Sequence, residues 1–110
     1  MTTLSLETRV EGEQVRIAVA GELDLSSALT FDDEIRRAEE RNPRTLIVDL
    51  SRLRFLDSTG LRLIMSAQAR ARKRGCGFKV VEGTDAVKRI FKLAGVTRRL
   101  DIVPGEPAAG

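Results

Sequence analysis

An apolar run that leads through a polar break into a helical pattern constrains the fold of this chain most strongly. Residues 45–50 (TLIVDL) are apolar and β-branched with almost no alternation, which is typical of a strand buried on both faces. Residues 61–74 are rich in helix formers. The apolar face of that helix is predicted to carry Leu61, Ile64, Met65, Gln68 and Ala69. We therefore expect a buried strand, a short polar connection and an amphipathic helix.

The connection is Asp57-Ser58-Thr59-Gly60, which places a hydroxyl at or next to the helix N-terminus. Four unpaired backbone N–H groups and the positive end of the helix dipole lie there. The ordinary interpretation is a helix N-cap, because Asp, Ser and Thr are all favoured in that role. A phosphate on the hydroxyl would also be stabilised at this position. These four residues alone are compatible with both interpretations.

The N-terminal part of the chain predicts a β-hairpin followed by a helix. Apolar residues alternate with polar ones over residues 4–10 and again over 15–19, on either side of a turn that contains Gly12. A helical stripe then carries Ala28, Phe31, Ile35 and Ala38. Ser26 or Ser27 is the expected cap, and Pro43 ends the helix.

The C-terminal part predicts one more strand, one more helix and a short final strand. Residues 51–56 are expected to form a loop, and residues 78–82 a strand. Thr84 or Asp85 should cap a helix that Gly95 ends, and residues 100–103 could add a last strand. The resulting order, β-β-α-β-α-β-α with a possible final β, predicts an α/β fold with parallel pairs joined by right-handed crossovers.

Composition indicates one domain of 110 residues that needs neither disulfides nor metals, and it indicates a reducing, cytoplasmic home. The net charge of +3 is uneven, since the segment 62–99 holds eleven basic and two acidic residues. Such a segment suggests nucleic-acid binding, but no aromatic residue stands among the basic ones to stack on bases. A basic face that meets an acidic protein partner is the favoured interpretation. No stretch is long and apolar enough to span a membrane.

Most catalytic chemistry is excluded by the residues that the sequence lacks. The chain has no histidine, which removes a Ser-His-Asp triad and nearly all zinc sites. No phosphate-binding glycine loop is present. A magnesium site made by Asp24, Asp49 and Asp57 is a minor alternative. The sequence therefore predicts no enzyme and no cofactor, but a hydroxyl that another enzyme could modify.

Three motifs at their spacings resemble the STAS-domain anti-sigma factor antagonists of bacterial partner-switching systems. They are residues 21–24 (GELD), residues 55–61 (FLDSTGL), and residues 86–96, which hold AVKRIF and AGV. The resemblance covers residues 4–103. It implies a STAS fold, in which a mixed β-sheet with an N-terminal β-hairpin carries helices packed on one side. We expect residues 1–103 to form a single STAS domain and residues 104–110 a flexible tail.

The resemblance also implies a function. The unphosphorylated antagonist binds a cognate anti-sigma factor and so releases a sigma factor. The anti-sigma factor is also a serine kinase that phosphorylates the residue matching Ser58, and a PP2C-type phosphatase resets the switch. The residues predicted to bind the partner are Asp24, Asp57, Ser58, Thr59, Gly60 and Arg62.

Alternatives remain open. Asp24 could simply stabilise a turn. The chain could instead be a STAS interaction subunit of another assembly, such as a lipid-transport ATPase or a stress-sensing complex, with Ser58 as an interface residue. It could also bind or slowly turn over nucleotide. We expect a monomer or weak dimer that does not contact nucleic acid directly.

Overall fold

The computed structural model describes residues 4–105. In chain order the elements are β1 Leu4–Glu11, β2 Gln14–Leu23, α1 Ala28–Glu40, β3 Thr45–Leu56, α2 Ser58–Arg74, β4 Gly77–Val81, α3 Asp85–Ala94 and β5 Asp101–Val103. A 3₁₀ turn at Thr97–Arg99 precedes β5. Most of the predicted tail, residues 106–110, lies outside the described residues.

The five strands form one mixed sheet in the order β1-β2-β3-β4-β5. β1 and β2 are antiparallel and make the predicted N-terminal hairpin, whose turn uses Gly12 at a φ of 61°. The pairs β2–β3, β3–β4 and β4–β5 are all parallel. Parallel neighbours require a crossover between strands, and α1, α2 and α3 lie in those connections.

The helices cover one face of the sheet. Val15 and Ile17 of β2 pair with Leu46 and Val48 of β3, so these buried side chains share a face. The same core cluster includes residues from all three helices, namely Phe31, Ile35, Ala38, Leu61, Ile64, Ala67, Ala71, Val87 and Phe91. Arg16 and Asp49 alternate with the core residues and point to the other face. This arrangement confirms an α/β fold with helices on one side.

β3 is longer than the sequence indicates. Residues 51–56 were expected to form a loop, but β3 runs to Leu56 and pairs with β2 as far as Leu23. Two register shifts interrupt this pairing, one between Ala18 and Ala20 and one between Gly21 and Glu22. Each shift changes which side chains face the core, so the buried Leu53 and Leu56 do not follow a regular alternation. The loop prediction was wrong for this reason.

The buried face of α2 also differs from the prediction. Leu61 and Ile64 are buried as expected, but Ala69 is exposed and the buried alanines are Ala67 and Ala71. Gln68 is half-buried, and its amide donates a hydrogen bond to the Arg99 carbonyl, which links α2 to the 3₁₀ turn. The apolar stripe of α2 therefore follows Leu61, Ile64, Ala67 and Ala71, at the spacing of a helix that packs on a sheet.

α3 begins and ends where the sequence predicts. The Thr84 hydroxyl accepts a hydrogen bond from the Val87 N–H at 3.4 Å, so Thr84 rather than Asp85 is the N-cap. Gly95 ends the helix with a φ of 70°, a conformation that a residue with a side chain rarely adopts.

Candidate functional site

The candidate site lies at the carboxyl ends of β2 and β3. Leu23 and Leu56 are the last residues of these strands and pair with each other. The backbone N–H of Asp57 donates to the Leu23 carbonyl at 3.2 Å. The loop after β2 and the start of α2 are therefore held side by side. This arrangement joins the two motifs that the sequence separates by about thirty residues, and it brings together Asp24, Asp57, Ser58, Thr59 and Gly60.

Asp57 is the N-cap of α2. Its Oδ1 accepts a hydrogen bond from the Gly60 N–H at 3.0 Å, in the geometry expected of a capping carboxylate. Its Oδ2 accepts a second hydrogen bond, 3.2 Å long, from the N–H of Leu25. One carboxylate thus caps the helix and also holds the loop that follows β2.

Ser58 is the first residue of α2 and is exposed. Because Asp57 provides the cap, the interpretation of Ser58 as a plain N-cap was wrong. The Ser58 hydroxyl makes no hydrogen bond within residues 4–105. The N–H groups of Ser58 and Thr59 occupy the first two positions of the helix, where no intrahelical acceptor exists. An exposed hydroxyl therefore lies beside unpaired donors and the positive end of the helix dipole.

Gly60 is buried where α2 crosses β2 and β3. A Cβ built on Gly60 would lie 2.7 Å from Leu23 Cγ and 2.7 Å from Leu56 Cδ1. Both distances are far below a normal contact between carbon atoms, so the close approach of α2 to the sheet requires glycine here. Packing explains this residue, and its contact with a partner stays a prediction.

The loop after β2 is organised by its own polar groups. Asp24 Oδ1 accepts hydrogen bonds from the Ser26 N–H at 2.9 Å and the Ser26 hydroxyl at 2.6 Å. The buried Ser27 hydroxyl donates to the Glu22 carbonyl at 2.9 Å and accepts from the Asp24 N–H at 3.1 Å. Ser27 stands at the N-cap position of α1 but makes no capping bond, because its hydroxyl is used within this loop. Asp24 therefore stabilises a turn, and a role in partner binding remains a prediction beside it.

Two apolar side chains that the sequence did not single out are exposed at this site. Leu25 is 76% exposed and Phe55 is 49% exposed. They line a shallow depression of about 480 Å³ together with Asp24, Ser26 and Asp57. Leu25 directly follows the GELD motif, and Phe55 is the first residue of the FLDSTGL motif. Their positions at these motifs could have identified both residues from the sequence. The alternation of apolar and polar residues did not predict the exposure of Phe55, because Phe55 lies beyond the register shifts in the pairing of β2 with β3.

Arg62 supplies a positive charge near the phosphoacceptor candidate. It is exposed on α2, one helical turn after Ser58, and forms no ion pair within the described part of the chain. Its guanidinium is therefore available to a phosphate or to a carboxylate of a partner.

Asp49 is separate from this site. It lies on the open face of the sheet, where its Oδ2 is 2.7 Å from the Arg16 guanidinium and its Oδ1 accepts from the Ser51 N–H at 2.9 Å. Burial raises its pKa, but the hydrogen bonds from Ser51 and the pairing with Arg16 outweigh burial and hold the pKa below 3.8. Residues 4–105 hold no group of three or more His, Cys, Asp or Glu side chains placed to bind a metal ion. The magnesium alternative therefore has no support in this structure.

Comparison with known families agrees with the fold and the motifs. The family described as "Mlab, STAS domain" matches residues 6–104. The chain belongs to the STAS-domain family. Within residues 4–105, no helix of this STAS domain is long and apolar enough to cross a membrane.

The STAS domain is similar to proteins named as anti-sigma factor antagonists. It is 30% identical over 82 residues to the anti-sigma-F factor antagonist RsfB of Mycobacterium tuberculosis, a match that covers 74% of this chain and 66% of RsfB. An anti-sigma factor antagonist from Mycobacterium paratuberculosis superposes with a TM-score of 0.87 at 25% identity, over 94% of this chain and 87% of that one. The names of these relatives describe regulators that counter anti-sigma factors, and they mention no catalytic activity.

The fold is also shared with the Bacillus cell fate determinant SpoIIAA in its phosphorylated form. The TM-score is 0.72 at 22% identity, and the match covers 94% of this chain and 92% of SpoIIAA. At this identity the likeness shows the fold alone.

Proposed function

We propose that this STAS domain is an anti-sigma factor antagonist that is switched by phosphorylation of Ser58. The unphosphorylated form binds a cognate anti-sigma factor and releases a sigma factor, in the cytoplasm of a bacterium. The anti-sigma factor acts as the serine kinase, and a PP2C-type phosphatase restores the unphosphorylated form. The names of the relatives support the class of partner.

The observation that carries the proposal is the state of the Ser58 hydroxyl. It is exposed, it makes no hydrogen bond within residues 4–105, and it follows Asp57, which lines a depression together with the exposed Leu25 and Phe55. A kinase needs such a hydroxyl, because phosphoryl transfer breaks the bond from the γ-phosphorus of ATP to its bridging oxygen, releases ADP, forms a bond to the serine oxygen and displaces the hydroxyl proton. A serine used as a cap would have to give up a structural bond first.

The position of Ser58 also explains why phosphorylation would leave the fold intact. The phosphate would lie at the first helical position, where unpaired N–H groups and the helix dipole stabilise negative charge. The fold therefore tolerates the phosphate, while a docking surface gains a charge of about −1.5 to −2. Placing that charge in a dry interface without a matched cation costs ~2–5 kcal/mol. Such a cost weakens binding by roughly 30-fold to several thousand-fold.

A pull-down with and without ATP tests this proposal. The tagged chain should recover an anti-sigma factor from the native cytoplasm, and added ATP should release it as phosphate appears on Ser58 by mass spectrometry. Ser66→Ala is the matched control, because Ser66 is an exposed serine elsewhere on α2. Phosphate on Thr59, phosphate nowhere, or recovery of no anti-sigma factor would contradict the proposal.

A further inference from the structure

We infer that Asp57 is a positioning residue, and that it holds Leu25 as an apolar docking side chain next to Ser58. This inference rests on the function proposed above, and it gives Asp57 a structural role. Both of its carboxylate oxygens accept hydrogen bonds from the chain itself. Direct contact of Asp57 with the partner, which the sequence predicts, stays a prediction.

The two hydrogen bonds of Asp57 join parts of the chain that are distant in sequence. The Gly60 N–H belongs to α2, and the Leu25 N–H belongs to the loop after β2, 32 residues before Asp57. Leu25 lies between Asp24 and Ser26, whose hydrogen bonds close a turn around it, so its backbone is held within that turn. A hydrogen bond to a carboxylate is stronger than one between neutral groups. The bridge therefore fixes the position of Leu25 relative to the start of α2.

The side chain of Leu25 makes this arrangement significant for binding. Although its backbone is fixed, the side chain is 76% exposed and lines the same depression as Phe55 and Asp57. A fixed, exposed leucine loses less conformational freedom on binding than a mobile one. Asp57, the N-cap of α2, lines this depression, so the anti-sigma factor that reaches Ser58 as a kinase would cover Leu25 as well.

The bridge is tested first in the free chain, by amide hydrogen exchange. Asp57→Asn keeps one carbonyl oxygen, which suffices for the N-cap, but its amide nitrogen cannot accept a hydrogen bond from Leu25. We expect the Leu25 amide to exchange at least about tenfold faster in this variant, since a hydrogen bond to a charged group is lost. The Gly60 amide should stay close to wild type, and the melting temperature should fall by no more than about 10 °C, the effect of losing one hydrogen bond in a domain of this size. Unchanged exchange at Leu25 would overturn the inference.

The positioning role is tested by a double-mutant cycle with the anti-sigma factor recovered in the pull-down. Leu25→Ala should weaken binding by about tenfold, because a leucine side chain is no longer buried against the partner. Asp57→Asn should weaken it to a similar extent while the chain stays folded at the temperature of the measurement. If Asp57 acts through Leu25, the double variant should bind within about threefold of the weaker single variant. Leu93→Ala is the matched control, because Leu93 on α3 is 77% exposed.

Each result bears on one of the two proposals. Full additivity in the cycle would mean that Asp57 contacts the partner directly, which would overturn the positioning role. An effect of Leu93→Ala as large as that of Leu25→Ala would overturn the assignment of Leu25 to the docking surface. Failure of the wild-type chain to bind any anti-sigma factor would overturn the proposed function. The exchange experiment in the free chain would still decide whether Asp57 forms the bridge.

Discussion

The chemistry of the site depends on which of three adjacent residues caps α2. Asp57, Ser58 and Thr59 all have favourable capping side chains, so the sequence could not decide among them. The choice is made by the end of β3, because the Asp57 N–H still bonds to the Leu23 carbonyl and leaves Asp57 extended at the N-cap position. Ser58 then begins the helix, and its hydroxyl makes no hydrogen bond to any residue that the structure describes. The motif was predictable from the sequence, but the division of roles within it depends on contacts between distant residues.

Replacement of Ser58 should lock the switch. Ser58→Ala is expected to bind the anti-sigma factor persistently in the presence of ATP, because it removes the phosphoacceptor and no structural hydrogen bond. Ser58→Asp should bind weakly yet melt almost normally, since a carboxylate is also stabilised at a helix N-terminus. The measurement is binding in the presence of ATP, with thermal melting of each variant. Release of Ser58→Ala by ATP would contradict this prediction.

Substitution of Gly60 should destabilise the chain. In Gly60→Ala the added methyl group would lie 2.7 Å from atoms of Leu23 and Leu56, so α2 or the strands must shift. Overpacking of this kind costs about 1–3 kcal/mol. Denaturant unfolding should show this loss for Gly60→Ala but not for Ser66→Ala, which changes an exposed position of the same helix. An unchanged free energy of unfolding would show that α2 does not pack against the sheet as closely as the structure indicates.

At the scale of elements, regular periodicity made most of the fold predictable. The hairpin, the first part of β3 and the cap and stop of α3 follow from local pattern. The end of β3 does not, since its pairing with β2 passes through two register shifts that a single sequence does not reveal. The exposure of Phe55 follows from the same irregularity. Local sequence patterns predict the helices and strands well, whereas register shifts determine which side chains are exposed where a strand ends.

The pairing of β2 with β3 should weaken in acid. The side chain of Asp49 is 12% exposed, and its pKa is lowered because the bonds from Ser51 and Arg16 outweigh the effect of burial. A lowered pKa in the folded state stabilises the fold at pH above 3.8, and that stabilisation is lost as pH falls through the lowered value. Asp49→Asn should therefore have a lower free energy of unfolding than wild type at neutral pH. The difference between the two free energies, which is the margin to be measured, should narrow below pH 3.8.

Denaturant unfolding at a series of pH values measures this margin. Asp33→Asn, which removes the carboxylate of an exposed α1 residue that forms no ion pair within residues 4–105, controls for the loss of one negative charge. A margin between wild type and Asp49→Asn that stays constant down to strongly acid pH would contradict the assigned role of Asp49.

Across the whole molecule, the excess of basic residues in 62–99 lies on the surface. Of the eleven basic residues in 62–99, only Arg70 and Lys88 form ion pairs within residues 4–105. We expect no sequence-specific binding to DNA. Any nonspecific binding should fall steeply as salt rises, because it would come from release of counterions. Fluorescence anisotropy with a labelled duplex at several salt concentrations tests this, and specific binding at physiological salt would contradict it.

One phosphate on Ser58 should change the affinity for the partner without changing the fold. Calorimetric titration of the anti-sigma factor with bare and kinase-treated chain measures this most directly, with thermal melting of both forms. We predict that the phosphorylated chain binds roughly 30-fold to several thousand-fold more weakly. Its melting temperature should stay close to that of the bare chain. Equal affinity of the two forms, with phosphate confirmed on Ser58, would mean that phosphorylation of Ser58 is not the switch.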